Sequence, residues 1–415
     1  MKKKEDKIIQ EQPDNTVEEI STESWFCSRG YTPPSKWDWK LIRKEWNKLH
    51  MPKNVAYDPF HVPFDVNNMN HCSYYMFFSK RGVGKTTTML LLGLILFKLY
   101  GVVIQYIRQK EDMLRPKFAQ ELMKTILECG YIEKLTDGRW NYAYYYANKW
   151  VFCKLSESGK IEEKTAIHFM YELSIDQSFT YKSNYNAPHG DWIIFDEMLS
   201  RKYECNEFIY FMDILSTIIR KRKGVRIILL SNAIDEYSEY FEEFEIEEQI
   251  KKLKRGDCDI CTSSGGTKIY VEKIDQNDKN AARLNKEYFG FKSPMLYAIT
   301  GEGDWNVQIC KHWDLDDEDA ELIDRKHYIK MGMNMVRLEL MRSAKYGWHV
   351  RVQKATRLYP DSIIYTMDEI EDSRFRHSKG YSKVDRLIWD LHAMDKWHYR
   401  TNSQKNFVDK YELIA

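Results

Sequence analysis

Nowhere in this sequence do about 18 apolar residues run together without a charge, so no membrane-spanning helix is expected. The most apolar stretch, Met89 to Leu99, is too short to span and follows a glycine-bearing loop, which reads as a buried helix. Excess charge is also missing. The 63 Lys and Arg residues balance 62 Asp and Glu, leaving a net charge of +1. A whole-molecule basic field for nucleic acid is thus excluded, and any such contact has to come from local patches. The eight cysteines (Cys27, Cys72, Cys129, Cys153, Cys205, Cys258, Cys261 and Cys310) are too scattered for a disulfide framework and read as free cytosolic thiols. The first residues, MKKKEDKIIQEQPDN, carry charge with no apolar segment behind them, so no signal peptide is expected. No internal repeat is visible.

What remains is a soluble globular composition, 43% hydrophobic and 30% charged, in 415 residues, long enough for two domains. Residues 1–24 mix acids, lysines and Pro13 with few aromatics and are expected to form a disordered arm. Residues 25–71, rich in Trp and Pro, read as an irregular extension with one helix near 37–49. Between 72 and 250 apolar strands alternate with helices: strands at 73–78, 102–107, 192–195 and 226–231, helices at 86–99, 111–129 and 207–220. That rhythm implies an α/β core with a mostly parallel sheet. Residues 138–183 interrupt it with short strands, including one over Gln177–Tyr181, and are expected to form an antiparallel insertion. The acidic run Asp235–Glu248 and basic run Lys251–Arg255 mark the start of a linker over 251–333, with an acidic loop at 314–321. Residues 334–415 read as a small α+β unit of three strands and a closing helix pair.

The sharpest motif is Ser79-Lys80-Arg81-Gly82-Val83-Gly84-Lys85-Thr86, a phosphate loop with Ser in place of the first Gly. Gly82 and Gly84 allow the backbone to turn its N–H groups inward on phosphates. Lys85 supplies a cation at the β- and γ-phosphates, and Thr86 a hydroxyl for Mg²⁺. Thr87 continues the first turn of a helix whose dipole favours anions. ATP and Mg²⁺ are therefore expected ligands.

About 110 residues downstream, Trp192-Ile193-Ile194-Phe195 leads into Asp196-Glu197. A carboxylate at the end of a strand beside the phosphate-loop strand can serve Mg²⁺, the role expected for Asp196. Glu197 is placed to take the proton of the attacking water. A second buried strand, Ile227 to Leu230, ends in Ser231-Asn232, where the amide either senses the γ-phosphate or simply forms the turn. Arg220-Lys221-Arg222-Lys223 closes the preceding helix. The helix dipole alone favours cations there. Alternatively, Arg220 or Arg222 reaches a neighbouring subunit's ATP and stabilises transition-state charge.

Strand, phosphate loop and helix, then Tyr106-Ile107-Arg108, Lys182-Ser183-Asn184, Ile194-Phe195-Asp196-Glu197, Met212-Asp213 leading to Arg220, and Leu230-Ser231-Asn232-Ala233 together resemble one family. They are similar to the DNA-packaging ATPases (encapsidation proteins) of small tailed phages of the phi-twenty-nine type. The likeness runs over about 73–240, thins over 255–300, and is traceable over 334–415 through Met394 to Leu413; residues 1–70 have no clear counterpart. The resemblance implies a P-loop NTPase core of the additional-strand, catalytic-glutamate ring-translocase kind, followed by a vestigial nuclease-like domain of RNase H-like fold. It implies a homo-oligomeric ring that drives double-stranded DNA into a prohead, docked on the portal directly or through a structural RNA. Such a motor works in the host cytoplasm during assembly and is not part of the mature virion. Carried over by position, Lys85 and Thr86 hold phosphate and Mg²⁺, Asp196 is the metal carboxylate, Glu197 the base and Arg220 the arginine acting in trans. The family's basic cluster after the second strand falls on Arg108-Gln109-Lys110-Glu111, with Glu111 where a lysine is expected, so a trans role would pass to Arg108 or Lys110.

Nuclease activity is not expected, because the strand Trp348-His349-Val350-Arg351-Val352 offers no carboxylate for a two-metal site. Other readings are a P-loop helicase or terminase-type ATPase, a degenerate P-loop scaffold, and a zinc site from Cys258-x-x-Cys261 with Cys310 and His312.

Overall fold

The computed structural model describes residues 31–51, 57–79, 83–185, 189–199, 207–232, 238–275, 310–313, 317, 319–332 and 334–414. Lys80, Arg81 and Gly82 of the loop, Cys27, Cys205 and the expected arm at 1–24 lie outside them.

Two sheets are built from strands β1 (Tyr74–Phe78), β2 (Ile104–Arg108), β3 (Tyr142–Tyr146), β4 (Lys149–Leu155), β5 (Ile161–Lys164), β6 (Met170–Ser174), β7 (Trp192–Asp196), β8 (Arg226–Ser231), β9 (Cys258–Thr262), β10 (Lys268–Lys273), β11 (Glu321–Met331), β12 (Asn334–Ser343), β13 (Gly347–Lys354), β14 (Ile363–Thr366), β15 (Phe375–Arg376) and β16 (Trp397–Tyr399). The helices are α1 (Trp39–Lys48), α2 (Lys85–Tyr100), α3 (Pro116–Glu128), α4 (Tyr131–Leu135), α5 (Ser178–Asn184), α6 (Glu207–Ile219), α7 (Glu239–Glu243), α8 (Glu247–Lys252), α9 (Lys383–Ala393) and α10 (Asn402–Ile414).

The larger sheet runs β3-β4-β6-β2-β7-β8-β1-β10-β9, with β5 on β4. From β6 through β10 the neighbours are parallel, so their C-terminal ends share one edge. These strands are apolar along their length because helices cover both faces. Trp192, Ile193, Ile194 and Phe195 are all fully buried. One face packs under α1, α2, α3 and α4, the other under α6, α7, Tyr181 of α5 and Tyr185 just after it. α2 is apolar nearly all round because it lies between the sheet and a second helical layer. Its Gly93 permits this approach: a Cβ there would lie 2.6 Å from Ile104 Cδ1. α1 starts at Asp38, whose carboxylate accepts from the N–H groups of Lys40 and Leu41, and it buries Ile42 and Trp46. The extension is thus part of the α/β unit's core.

Two expectations change here. Gln177–Tyr181 is not a strand: α5 occupies Ser178–Asn184. An alternation only five residues long does not separate strand from helix, and the tertiary contacts of Tyr181 decide it. Residues 258–273, placed in a linker, form the hairpin β9–β10 that extends the α/β sheet beside β1. The preceding charge runs contain helices α7 and α8 among their described residues, and the apolar side chains of these helices pack on the same core.

The second sheet runs β15-β14-β11-β12-β13-β16 and starts at Glu321, before the expected boundary at 334. β11, β12 and β13 are an antiparallel meander; β14 lies parallel to β11, β15 to β14 and β16 to β13. α9 and α10 cover it, burying Ile388, Leu391, Phe407, Val408 and Tyr411. The units are joined by ion pairs: Lys354 Nζ lies 2.6 Å from Glu239 and 3.0 Å from Glu243, and Arg400 meets Glu242 and Glu247.

Candidate active site

The shared C-terminal edge of β1, β8, β7 and β2 gathers the charged residues of the motifs. After β1 the chain passes Ser79 and re-enters at Val83 and Gly84, which has φ +81 and caps α2. That left-handed turn favours glycine and lets Lys85 open the helix. Lys85 is 5% exposed. Its ammonium donates to Asn232 Oδ1 at 2.9 Å and to Ser79 Oγ. Burial pushes it down to about 8, against the pull of Asp196. The loop lysine thus rests on the tip of β8.

Asp196 closes β7 and is 8% exposed. Its Oδ2 accepts from Thr86 Oγ1 at 3.1 Å and from the Tyr106 hydroxyl at 2.6 Å; Oδ1 accepts the N–H of Glu197 at 3.0 Å. Glu197 follows in the left-handed region at φ +57, a conformation that costs a non-glycine residue roughly 1–2 kcal/mol. This turn swings its half-exposed carboxylate out of the strand line to within 3.4 Å of Arg108. Arg108 also lies 3.9 Å from Asp196 and over the ring of Tyr106 at 5.2 Å. Burial opposes its charge, but Tyr106, then Asp196, Glu197 and Glu172, raise the Arg108 guanidinium above its ordinary value. Arg108 thus sits beside both carboxylates at the tip of β7. Lys110 lines a separate cavity of about 220 Å³ with Gln109, Asp176, Ser178 and Phe179. Thr87 stands in the first turn of α2.

Arg220 is placed elsewhere. α6 crosses back under the sheet, so Arg220, six residues before β8, lies at the opposite edge; β8 itself spans about 16 Å over its six residues. It has φ +47 and donates to the carbonyls of Thr217 at 3.1 Å and Tyr185 at 3.0 Å. Arg222 lies at the same edge, 3.9 Å from Asp191. Neither guanidinium is near its own Lys85.

The cysteine motif does not converge. Cys258 and Cys261 are three apart on β9, so they point to opposite faces; Cys258 is exposed and Cys261 buried. Cys310 and His312 bridge instead to the smaller sheet, where His312 pairs with Tyr399. No group of three or more metal-ligating side chains occurs among the described residues.

Reasoning from sequence gave no role to Tyr106 or Glu172. Tyr106 and Arg108, two apart on β2, share a face, and polar groups recurring at that spacing in an apolar strand are the signal. Glu172, aligned with Tyr106 on β6, is 3% exposed, accepts from Trp150 Nε1 at 2.7 Å, and is raised by burial to about 7.

No family model matches the chain, and no curated protein matches it either. Among solved structures it is similar to the Phi-28 gp11 DNA packaging motor, with 16% identity, 86% of this chain and 97% of that chain covered, and a TM-score of 0.50. It is also similar to the bacteriophage Phi-29 viral genome packaging motor assembly, with 17% identity, 87% and 99% covered, and a TM-score of 0.51. At that identity the likeness shows the fold, and it takes in nearly the full length of both chains.

Proposed function

We propose that this chain is the ATP-hydrolysing subunit of a homo-oligomeric ring that drives double-stranded DNA into a preformed viral prohead. The observation that carries the reading is the convergence of Lys85, Thr86, Asp196 and Glu197 at one sheet edge, on a fold shared with phage packaging motors. The order β10-β1-β8-β7-β2 supports the additional-strand class, with β8 between the phosphate-loop strand and the carboxylate strand.

ATP is the substrate. Its β- and γ-phosphates lie over the N-terminus of α2, where free N–H groups and the helix dipole favour anions. Lys85 exchanges Ser79 and Asn232 for phosphate oxygens. The Thr86 hydroxyl and Asp196 carboxylate are hard oxygen donors in mutual contact, a pair that fits Mg²⁺. That ion, when bound, neutralises charge on the phosphate oxygens. Glu197 takes a proton from water as the water oxygen bonds to the γ-phosphorus and the bond to the ADP oxygen breaks. Asn232, freed by Lys85, is left to meet the γ-phosphate.

The order β13-β12-β11-β14-β15, an antiparallel meander followed by parallel strands, supports an RNase H-like C-terminal unit. We read it as binding and docking the motor, on the portal directly or through a structural RNA, without cutting DNA. The setting is the host cytoplasm during assembly, outside the mature virion.

The test is hydrolysis by the purified protein with and without empty proheads and double-stranded DNA. Both together should stimulate turnover and render the DNA nuclease-resistant inside the particle. DNA binding should be salt-sensitive and indifferent to sequence, since the grip is on phosphates. Stimulation by single-stranded nucleic acid alone, with no effect of proheads, would replace this reading with a helicase.

A further inference from the structure

Asp196 receives more hydrogen bonds than a metal carboxylate needs, and one comes from a residue with no assigned role. Tyr106 is fully buried on β2, with β7 and β8 between it and the phosphate-loop strand β1. Its ring sits in the core between α2 and the sheet, with the Arg108 guanidinium above it. Its hydroxyl reaches Asp196 Oδ2 at 2.6 Å, the short length of a charge-assisted O–H···O⁻ bond. Asp196 has two oxygens. Oδ1 is folded back on the Glu197 N–H, and Oδ2 is shared by Tyr106 and Thr86. When Thr86 turns its hydroxyl to a cation, Tyr106 is the side-chain hydroxyl that still holds the carboxylate plane.

We propose that Tyr106 is a positioning residue for the divalent cation: its hydroxyl fixes the orientation in which Asp196 meets the metal of bound nucleotide. The inference rests on the ATPase reading above. It differs from packing because the ring, which fills the core, and the hydroxyl, which reaches the carboxylate, are separable.

Tyr106→Phe keeps the ring and removes the hydroxyl. The measurement is Mn²⁺ affinity by electron paramagnetic resonance, on protein loaded with a non-hydrolysable ATP analogue. Wild-type protein should bind Mn²⁺ together with the analogue; if it does not, the ATPase reading itself fails. Tyr106→Phe should bind Mn²⁺ about 10-fold or more weakly, the usual cost of losing a partner behind a ligand. Binding of the analogue in EDTA should stay within about twofold, because Lys85 and the loop are untouched. In turnover assays the Mg²⁺ concentration for half-maximal rate should rise by a similar factor, with kcat at saturating Mg²⁺ much less affected. Unchanged Mn²⁺ affinity overturns the proposal. So does an equal loss of metal-free analogue binding, which would make Tyr106 a packing residue only.

Discussion

Under the proposed ATPase reading, Lys85 and Glu197 do different chemistry from the tips of β1 and β7, on either side of β8, and their substitutions should separate accordingly. Lys85→Ala removes the cation that meets the β- and γ-phosphates, so turnover should vanish together with tight ATP binding. Glu197→Gln keeps every contact except the ability to accept a proton, so nucleotide should still bind while hydrolysis falls by at least about 100-fold. Near-normal turnover in Glu197→Gln would mean that another group is the base. Lys85 also predicts a pH dependence. Its value of about 8 in the free protein comes from burial. Phosphate oxygens favour the charged form, so the complex has the higher value and binding takes up a proton. Affinity should therefore be full below about 8 and fall by up to about 10-fold per unit as pH rises above it. Calorimetry at pH 8.5 in buffers of different ionisation enthalpy should register that uptake; its absence would show that Lys85 is already fully charged. Their meeting at one sheet edge was legible in the sequence because a carboxylate-tipped apolar strand, a weak signal alone, follows a glycine-spaced loop about 110 residues upstream. Tyr106 was quoted with its neighbours yet given no task, since nothing local shows that a core tyrosine lies across from a carboxylate 90 residues away.

At the scale of elements, long apolar runs were readable and short or charged ones were not. β1, α2, β7 and β8 lie where their runs of apolar residues put them. The β9–β10 hairpin was hidden by the charges around it, although Ser263-Ser264-Gly265-Gly266 is a turn signal between two alternating segments. The edge strand β16 was missed inside the closing helices, and it carries a consequence. His398 on β16 is 5% exposed, stacked on His349 with ring centroids 5.0 Å apart. Burial, then its histidine neighbour and nearby cations, lowers it to about 4, below an ordinary 6.5. The folded state thus resists protonating a group that the unfolded chain protonates readily. Stability from this site is complete above about 6.5 and is lost as pH falls towards 4, by at most about 3 kcal/mol. His398→Phe keeps the stacking ring and cannot charge. Urea titrations followed by tryptophan fluorescence at pH 7 and pH 5 should show a smaller acid-induced drop in the midpoint for His398→Phe than for wild type. Equal drops would shift the acid sensitivity to other groups such as His312.

On the scale of the whole molecule, the proposed ring would assemble each catalytic site from opposite ends of the α/β sheets of two subunits. Lys85, Asp196 and Glu197 occupy the C-terminal edge; Arg220 waits at the other, tied to the carbonyls of Thr217 and Tyr185. Helix α6 and strand β8 set Arg220 at the sheet edge opposite Lys85, with β8 itself spanning about 16 Å between the edges. A ring whose subunits face the open edge of one neighbour with the Arg220 edge of the next would close that gap. Releasing two backbone hydrogen bonds is a modest cost, on the order of 1 kcal/mol each, against the 10³–10⁵ in rate that an arginine finger supplies. Arg220→Ala should thus leave nucleotide affinity of the isolated subunit nearly unchanged and slow the assembled ring by orders of magnitude. Complementation decides between a role in trans and a merely structural one. When Arg220→Ala subunits are mixed with Glu197→Gln subunits, some interfaces pair an intact Glu197 with a neighbour's intact Arg220, and turnover should partly return. If well-mixed rings stay inactive, the guanidinium only closes the end of α6, where the helix dipole favours any cation.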